Sequence, residues 1–375
     1  MANTFITPTL VARDAAIVLH DRLMTGNMVS REKEKILQAN KVGDTVKVTV
    51  PGTFTAEEFT GSTNAQDVTE TEVDLTLEHH FDVRVDLTTK QKSLELDGFT
   101  RLVTIPAMDA ILDAIDTYFV DTMVRGFARN VSGTEGTDPS TKAHIVAGRK
   151  ILQDNKVVKN GRLALIDTTA EASFLQLTMF SDADFGGDGP LGLREGNLPR
   201  RLGFDWFADP NGSEHDRGDI AGTVLTDGVP VLAATTVHLD GFTAAAGTVK
   251  KGTRFTVAGD TQVYTVTADL TLASNEGDIP IYPAVSAALV IAGNDAAVTF
   301  KSALQADVLY HPNSVAGAIV APSPLNMGSA VEGYKGISIR VSMSSSTVSL
   351  SDSIVYDVYC GCEVIQPNGG VIFQG

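Results

Sequence analysis

The chain has 375 residues, and at roughly 150 residues per domain this length predicts two or three domains. Its 46 acidic and 29 basic residues give a formal net charge of −17, which argues against a protein whose main task is to bind nucleic acid. Two cysteines exclude a disulfide-rich secreted scaffold, and no apolar stretch approaches the ~20 residues that span a bilayer. The opening residues carry neither a basic segment nor a long apolar run, so we expect no secretory signal and a soluble, cytoplasmic chain.

The first 98 residues predict an arm followed by a long β-hairpin. Residues 1–43 contain one amphipathic helix, over 8–23, and precede any compact pattern, so we expect an N-terminal arm. Within residues 44–98, a strict period of two runs from Val73 to Leu87 and predicts one strand about 50 Å long, with a polar tip before it. From Asp44 to Asp97 the chain has 12 acidic and 4 basic residues, so this hairpin carries about half of the excess negative charge.

Residues 99–160 predict two helices. The first runs from Pro106 to about Arg129 with one apolar stripe, and its acidic residues precede its basic ones, as the helix dipole favours. The pair Asp138-Pro139 predicts an N-cap and first turn for the second helix, which ends near Gln153.

The remaining chain is richer in β-structure. Residues 161–215 mix a strand at Leu163 and Leu165 with a Gly-rich loop, residues 301–335 are again mixed, and residues 336–375 alternate as strands. Residues 216–300 predict an inserted small β-barrel or sandwich, because short strands follow one another at close spacing. Its predicted strands are Val231–Val237, Arg254–Val257, Val263–Thr267, Leu270–Leu272, Ile279–Ile281, Leu289–Ile291 and Val298–Phe300.

No sequence motif for an enzyme stands out. The chain lacks Gly-x-Ser-x-Gly, a P-loop, His-Glu-x-x-His and a strand-linked Gly-x-Gly-x-x-Gly. Cys360 and Cys362 share one face of a predicted strand, where they are too far apart for a disulfide, so we expect buried reduced thiols.

Other candidate groups also favour structural roles. The adjacent His79 and His80 point to opposite faces of a strand, which places one in the apolar stripe and one in solvent. His311 has no evident partner for general-base chemistry. An acidic loop departs from the spacing of a calcium loop; its members are Asp182, Asp184 and Asp188.

The order of these elements resembles the major capsid protein of tailed double-stranded DNA bacteriophages, which has the HK97-like fold. Phe5-Ile6-Thr7-Pro8 before an Ala-rich helix looks like the opening of that family, and Asp307–His311 with Val315 and Ala316 looks like its axial-domain strand and turn. The insertion at residues 216–300 is similar to the extra domain of some short-tailed phage coat proteins.

The resemblance implies an α+β chain divided as in that family. Its parts would be an N-terminal arm (1–43), an extended loop (44–98), a spine helix with the peripheral domain (99–160), the axial domain (161–215 and 301–335), the inserted β domain (216–300) and peripheral-domain strands (336–375). It implies no enzyme activity, no cofactor and no metal. The implied function is self-assembly through pentamers and hexamers into an icosahedral shell around the genome.

The resemblance also implies partners and a location. These are other copies of the chain, a scaffolding protein and a portal, with only weak, non-specific contact to packaged DNA and no membrane. The protein would be found in the virion after assembly of a procapsid in the bacterial cytoplasm. Some relatives crosslink a lysine of the extended loop, but Lys90 and Lys92 lie near the base of this hairpin, so we expect no crosslink here.

The acidic hairpin and a small basic cluster are the candidate contacts between subunits. We expect the outer part of the hairpin, Val73 to Leu77 with its tip, to lie across an adjacent subunit and to face basic groups there. The acidic candidates are Glu57, Glu58, Asp67, Glu70 and Glu72, and the basic candidates are Arg194, Arg200 and Arg201.

Two alternative classes stay open at this point. One is an extracellular β-rich adhesin or surface-layer protein, against which the missing secretion signal and the helix after Pro106 both argue. The other is a hydrolase whose site has no recognisable motif.

Overall fold

The computed structural model describes residues 8–32, 45–50, 71–88, 100–181, 198–325, 328–346 and 351–375, together with residues 56, 58, 59 and 196. The chain divides into two compact units, residues 1–119 with 315–366, and residues 120–314 with 367–375. Several predicted sites lie outside the described residues: the Asp182–Asp188 loop, Lys90, Lys92, Glu57, Asp67, Glu70 and Arg194.

The first unit contains helix α1 (Pro8–Arg22) and the strands β1 (Thr45–Val50), β2 (Thr71–Thr76) and β3 (His79–Thr88). It also contains β16 (Val315–Val320), β17 (Ser329–Tyr334), β18 (Ile337–Ser346) and β19 (Ser351–Val364). Strand β19 pairs antiparallel with β16, β18 and β3, and β17 continues the sheet beside β18. The predicted helix over 8–23 is therefore confirmed, and so is the alternating C-terminal β segment.

The predicted single strand over 73–87 is wrong, because the chain breaks at Leu77 and Glu78 into β2 and β3. β2 pairs with β1, whereas β3 pairs with β19 over ten residues. The chain passes from β2 to β3 directly over Gly361 of β19, and we call this point the β2–β3 crossing. An added Cβ at Gly361 would be 2.1 Å from the carbonyl oxygen of Thr76. Period two alone does not reveal this break, since both strands keep the same alternation.

The long helix α2 (Ile105–Phe127) confirms the prediction, and one π-helical turn (Thr100–Thr104) precedes it. At 1.5 Å per residue its 23 residues are about 34 Å long. Its apolar stripe is buried, with Met108, Ile115, Phe119 and Met123 at 0% exposure.

Helix α3 (Lys142–Asp154) begins three residues later than its predicted first turn, so the prediction of an Asp138 N-cap is wrong. Thr141 occupies the N-cap position. The preceding backbone instead bonds to the chain end, where the Gly375 amide donates to the Thr137 carbonyl and the Thr134 amide donates to the Gly375 carbonyl.

The second unit contains a described sheet in the order β4-β20-β15-β5-β6. Its strands are β4 (Val131–Ser132), β5 (Arg162–Ile166), β6 (Phe204–Ala208), β15 (Val308–Tyr310) and β20 (Gly370–Phe373), and two short helices, α4 (Thr168–Phe174) and α5 (Thr178–Ser181), follow β5. A buried cluster that includes Phe174, Phe204, Trp206 and Phe373 packs this sheet against α3. The predicted strand at Leu163 and Leu165 is confirmed.

The segment over 216–300 forms a sheet of six described strands in the order β14-β10-β11-β13-β8-β7, beside a short pair of β9 and β12. The bounds are β7 (Gly222–Thr226), β8 (Thr236–Phe242), β9 (Thr248–Val249), β10 (Arg254–Val257), β11 (Tyr264–Val266), β12 (Leu270–Thr271), β13 (Gly277–Tyr282) and β14 (Val298–Phe300). These strands enclose an apolar cluster of their own. The boundaries of an independent domain here stay a prediction.

Two predicted strands of this segment are wrong. Val231–Val237 is not one strand, because β8 begins only at Thr236. Residues 287–292 form helix α6 (Ala287–Ala292) instead of a strand. The Ser286 side chain accepts a hydrogen bond from the Leu289 amide and caps the helix, and Gly293 ends it. The short apolar run Leu289–Ile291 fits either conformation, so only these flanking residues distinguish the two. No helix among the residues described reaches the length and apolar character of a membrane span.

Candidate assembly elements

The base of the hairpin lies on the sheet of its own unit. β1 and β2 pair with Val48 opposite Val73, and the Lys47 ammonium lies 2.6 Å from a Glu72 carboxylate oxygen. Leu75, at 0% exposure, packs with Val48 against apolar residues of β16, namely Ala316, Ala318 and Val320. The expectation that residues 73–77 need an adjacent subunit to cover them is therefore wrong for Leu75.

Two described residues beyond the base are open to solvent. Glu58 is exposed, and the Phe59 side chain is 70% exposed. An acidic group beside an uncovered aromatic ring is a chemically suitable pair for a basic and apolar partner surface.

A buried ion pair fixes the sheet on which β3 lies. The Arg340 guanidinium of β18 holds the Asp357 carboxylate of β19 with two hydrogen bonds, of which the Nε contact is 2.9 Å. His80 of β3 lies 3.1 Å from the same carboxylate, so three strands meet at one buried charge. We expected one of the two histidines to be only solvated, but His80 also contacts Asp357. His79 packs on the rings of Phe81 and Tyr118.

The turn after α1 is tied to α2 by a buried carboxylate. Asp116 of α2 accepts hydrogen bonds from the backbone amide, at 3.1 Å, and from the hydroxyl of Thr25. Arg22 at the end of α1 also forms an ion pair with Asp109. Next to this turn, Gly317 allows close packing, because an added Cβ would lie 2.6 Å from the Val29 side chain.

The described part of the basic cluster is engaged within its own unit. Arg200 lies 3.4 Å from an Asp205 carboxylate oxygen and keeps 57% of its side chain exposed. Arg201 donates to the backbone carbonyl of Met179 at 3.2 Å. Of these two arginines, Arg200 is thus the one whose charge is open to another molecule.

Cys360 and Cys362 are buried and form no disulfide, which confirms the prediction of buried reduced thiols. Burial raises the pKa of Cys360 to about 12, because a thiolate would lose its hydration there. Glycine between them accommodates the β2–β3 crossing described above. The structural role expected for His311 agrees with its contact, since the ring accepts a hydrogen bond from the Asn313 amide at 3.3 Å.

Sequence reasoning missed a polar cluster on the β7–β8–β13 part of the six-stranded sheet. His238 of β8 has its Nδ1 atom 2.8 Å from Asp278, and its Nε2 atom 3.6 Å from Asp227 and 3.9 Å from Glu276. The hydrogen bond to Asp278 raises the pKa of His238. These residues are up to 51 positions apart, and only the strand register brings them together.

A buried carboxyl in the second unit was also missed. Asp307 is fully buried, and its Oδ1 atom accepts a hydrogen bond from the Asp167 amide at 3.1 Å. Burial raises the pKa of Asp307 well above its usual range, and the nearby carboxylates of Asp138 and Asp167 act in the same direction.

Comparison with solved structures identifies the fold. A structure from Mycobacterium phage Che8 superimposes with a TM-score of 0.52 at 16% identity, over 100% of this chain and 94% of that chain. The asymmetric unit of the bacteriophage PhiM1 mature capsid gives a TM-score of 0.45 at 11% identity, over 99% of this chain and 89% of that one. The capsid of an empty GTA particle gives 0.45 at 10% identity, over 100% and 95%.

The chain has an α+β architecture of the HK97-like type, which confirms the fold predicted from the resemblance. At 16% identity the likeness to the Che8 structure establishes the fold alone. No protein-family model matches the sequence. No curated protein matches it either.

Proposed function

We propose that this chain is a phage major capsid protein, a structural and non-enzymatic subunit that assembles through hexamers and pentamers into an icosahedral shell around double-stranded DNA. A fold alone does not define a function, so the argument needs more than the architecture. The observation that carries it is the coverage of the likeness to the Che8 structure, which takes in the whole of this chain. The sequence resemblance to capsid proteins is independent support.

The described elements are compatible with a subunit of a shell. A hairpin anchored by Leu75 has exposed residues beyond its base, Glu58 and Phe59, and the apolar stripe of α2 is buried. A net charge of −17 fits a shell that must not bind its packaged DNA tightly, because phosphates repel carboxylates. We propose only weak, non-specific contact with DNA.

Partners and location follow from the same proposal. The chain would assemble with copies of itself, with a scaffolding protein and with a portal, in the cytoplasm of a bacterial host, and would be found in the virion. The acidic hairpin would meet Arg194, Arg200 and Arg201 of a neighbouring subunit. The exposed charge of Arg200 supports this pairing.

Electron microscopy and sedimentation of the expressed chain, alone and with a candidate scaffolding protein, test the proposal. We expect closed shells or ring-shaped capsomers in the megadalton range. Monomers or dimers under every assembly condition, partner included, would refute it.

A charge reversal tests the hairpin contact separately. Glu58→Lys should slow assembly more at low salt than at high salt, because exposed ion pairs contribute ~0–1 kcal/mol each and are screened by salt. Asp154→Lys, at an exposed position on α3, is the matched control and should assemble normally. Equal effects of the two charge reversals on assembly would show that the hairpin does not contribute to the interface between subunits.

A further inference from the structure

The cluster around His238 combines an imidazole with carboxylates at ligand spacing. Ligand atoms of Asp227, His238 and Glu276 all lie within 4.8 Å of one another. The sheet places these residues side by side: β7 ends one residue before Asp227, β8 contains His238, and β13 begins one residue after Glu276. Val237 and Leu239 are buried, so His238 lies on the sheet face away from the apolar core.

The orientation of the imidazole is fixed by a separate contact. Its Nδ1 atom lies 2.8 Å from Asp278, directly opposite on β13, so its Nε2 atom faces the other two carboxylates. Histidines that bind metals commonly have one nitrogen held by a carboxylate in this way, which fixes the tautomer and makes the free nitrogen a better ligand.

The distances fit one small cation. With bonds of about 2.1 Å and tetrahedral angles, ligand atoms around Zn²⁺ lie about 3.4 Å apart. The Nε2 distances to Asp227 and Glu276 are 3.6 and 3.9 Å, so small side-chain movements complete this geometry.

The negative charge on this face of the sheet favours binding of a cation, even if His238 is protonated. Asp240, two residues after His238 on β8, is on the same face, and its buried Oδ1 atom has no hydrogen-bonding partner among the described residues. Three carboxylates thus lie within 3.9 Å of a single imidazole, and Asp240 adds a fourth on the same face. The imidazole could supply at most one positive charge.

We propose that Asp227, His238 and Glu276 bind a divalent transition-metal ion on this face of the sheet, with Asp278 as a positioning residue for the imidazole. One nitrogen and two carboxylate ligands select Zn²⁺ and its neighbours over Mg²⁺ and Ca²⁺, which prefer oxygen-only sites. The ion joins β7, β8 and β13 on the sheet face opposite their shared apolar core. This site does not depend on the proposed capsid function.

Calorimetric titration of the chelator-treated full chain with ZnCl₂ at pH 8 tests the site, and MgCl₂ is the comparison. We expect one Zn²⁺ per chain, no comparable Mg²⁺ binding, and a higher melting temperature with Zn²⁺. His238→Ala and Glu276→Gln should each weaken Zn²⁺ binding at least a hundredfold. Asp278→Asn should weaken it about ten- to a hundredfold, as expected for a group that orients a ligand.

The control is His144→Ala, which removes another histidine of the same unit and should leave Zn²⁺ binding unchanged. Circular dichroism checks the fold of each variant, and if His238→Ala is unfolded, Glu276→Gln and Asp227→Asn decide the question. Failure of the wild-type chain to bind Zn²⁺ would overturn the proposal. So would binding that survives these substitutions, or equal binding of Mg²⁺.

Discussion

Truncation of Leu75 should loosen the base of the hairpin without unfolding the rest of the chain. Leu75 has 0% exposure and is covered by Val48 and the small β16 side chains, so Leu75→Ala leaves a cavity that alanines cannot readily refill. Substitutions of this kind cost about 2–5 kcal/mol. Because every 1.4 kcal/mol is a factor of ten, opening of the hairpin base should become at least about thirtyfold more frequent.

Hydrogen exchange measured by mass spectrometry on the unassembled chain reads this opening directly. Peptides covering 45–50 and 71–76 should lose protection in Leu75→Ala, while peptides covering 236–242 should not change. Val73→Ala, at a half-buried position of the same strand, is the control and should have a smaller effect. Unchanged exchange at β1 and β2 in Leu75→Ala would show that the hairpin base is held by something other than this contact.

Three further predictions concern buried positions. Gly361→Ala should destabilise the first unit, since the new Cβ would meet the Thr76 carbonyl; normal exchange protection of β2 and β3 in this variant would contradict the crossing. At pH 8, Cys360 should react with a thiol reagent at least about a thousandfold more slowly in the folded than in the unfolded chain, because its pKa of about 12 leaves little thiolate; rapid native labelling would refute its burial. The free energy of unfolding of Asp307→Asn should increase relative to that of the wild type as pH rises. Unfolding can be measured by the fluorescence of Trp206, the single tryptophan. A difference between the two proteins that does not depend on pH would contradict this prediction.

The sign of the Asp307 effect follows from linkage. Its pKa is raised in the folded state, so the folded chain binds more protons than the unfolded chain above the unfolded pKa of about 3.9. The contribution of Asp307 to wild-type stability therefore falls as pH rises from that value through the folded pKa. Asparagine cannot ionise, so the variant is free of this loss.

The sequence predicted elements whose pattern is local and missed what depends on register. The stripe of α2 repeats at helical spacing over 23 residues, and no other structure uses that pattern. By contrast, the break between β2 and β3 preserves period two, and it becomes visible only when Gly361 is placed beneath Thr76. The cluster around His238 is hidden for the same reason, since its members lie in or directly beside three strands.

The N-cap at Asp138 and the strand at 289–291 failed for different reasons. Asp138-Pro139 has the right residue types, but the segment before α3 bonds to Gly375 at the chain end instead, which is a long-range effect. Residues 287–292 are apolar in either conformation, and the cap from Ser286 decides for helix. The local pattern of the hairpin also could not show that the surface covering Leu75 belongs to β16, some 240 residues later.

The division of the chain into two discontinuous units has a kinetic consequence. The backbone passes from one unit to the other after Phe119, after Ser314 and after Gln366, so each unit contains segments far apart in sequence. β19 must be synthesised before β3 and β18 can pair with it, and β20 before the second sheet is complete. Contacts of such long range fold slowly and leave strand edges unpaired meanwhile. During synthesis on the ribosome, the chain would therefore have incomplete sheets with unpaired, aggregation-prone edges for a long period. A chaperone that protects these edges would raise the yield of folded protein.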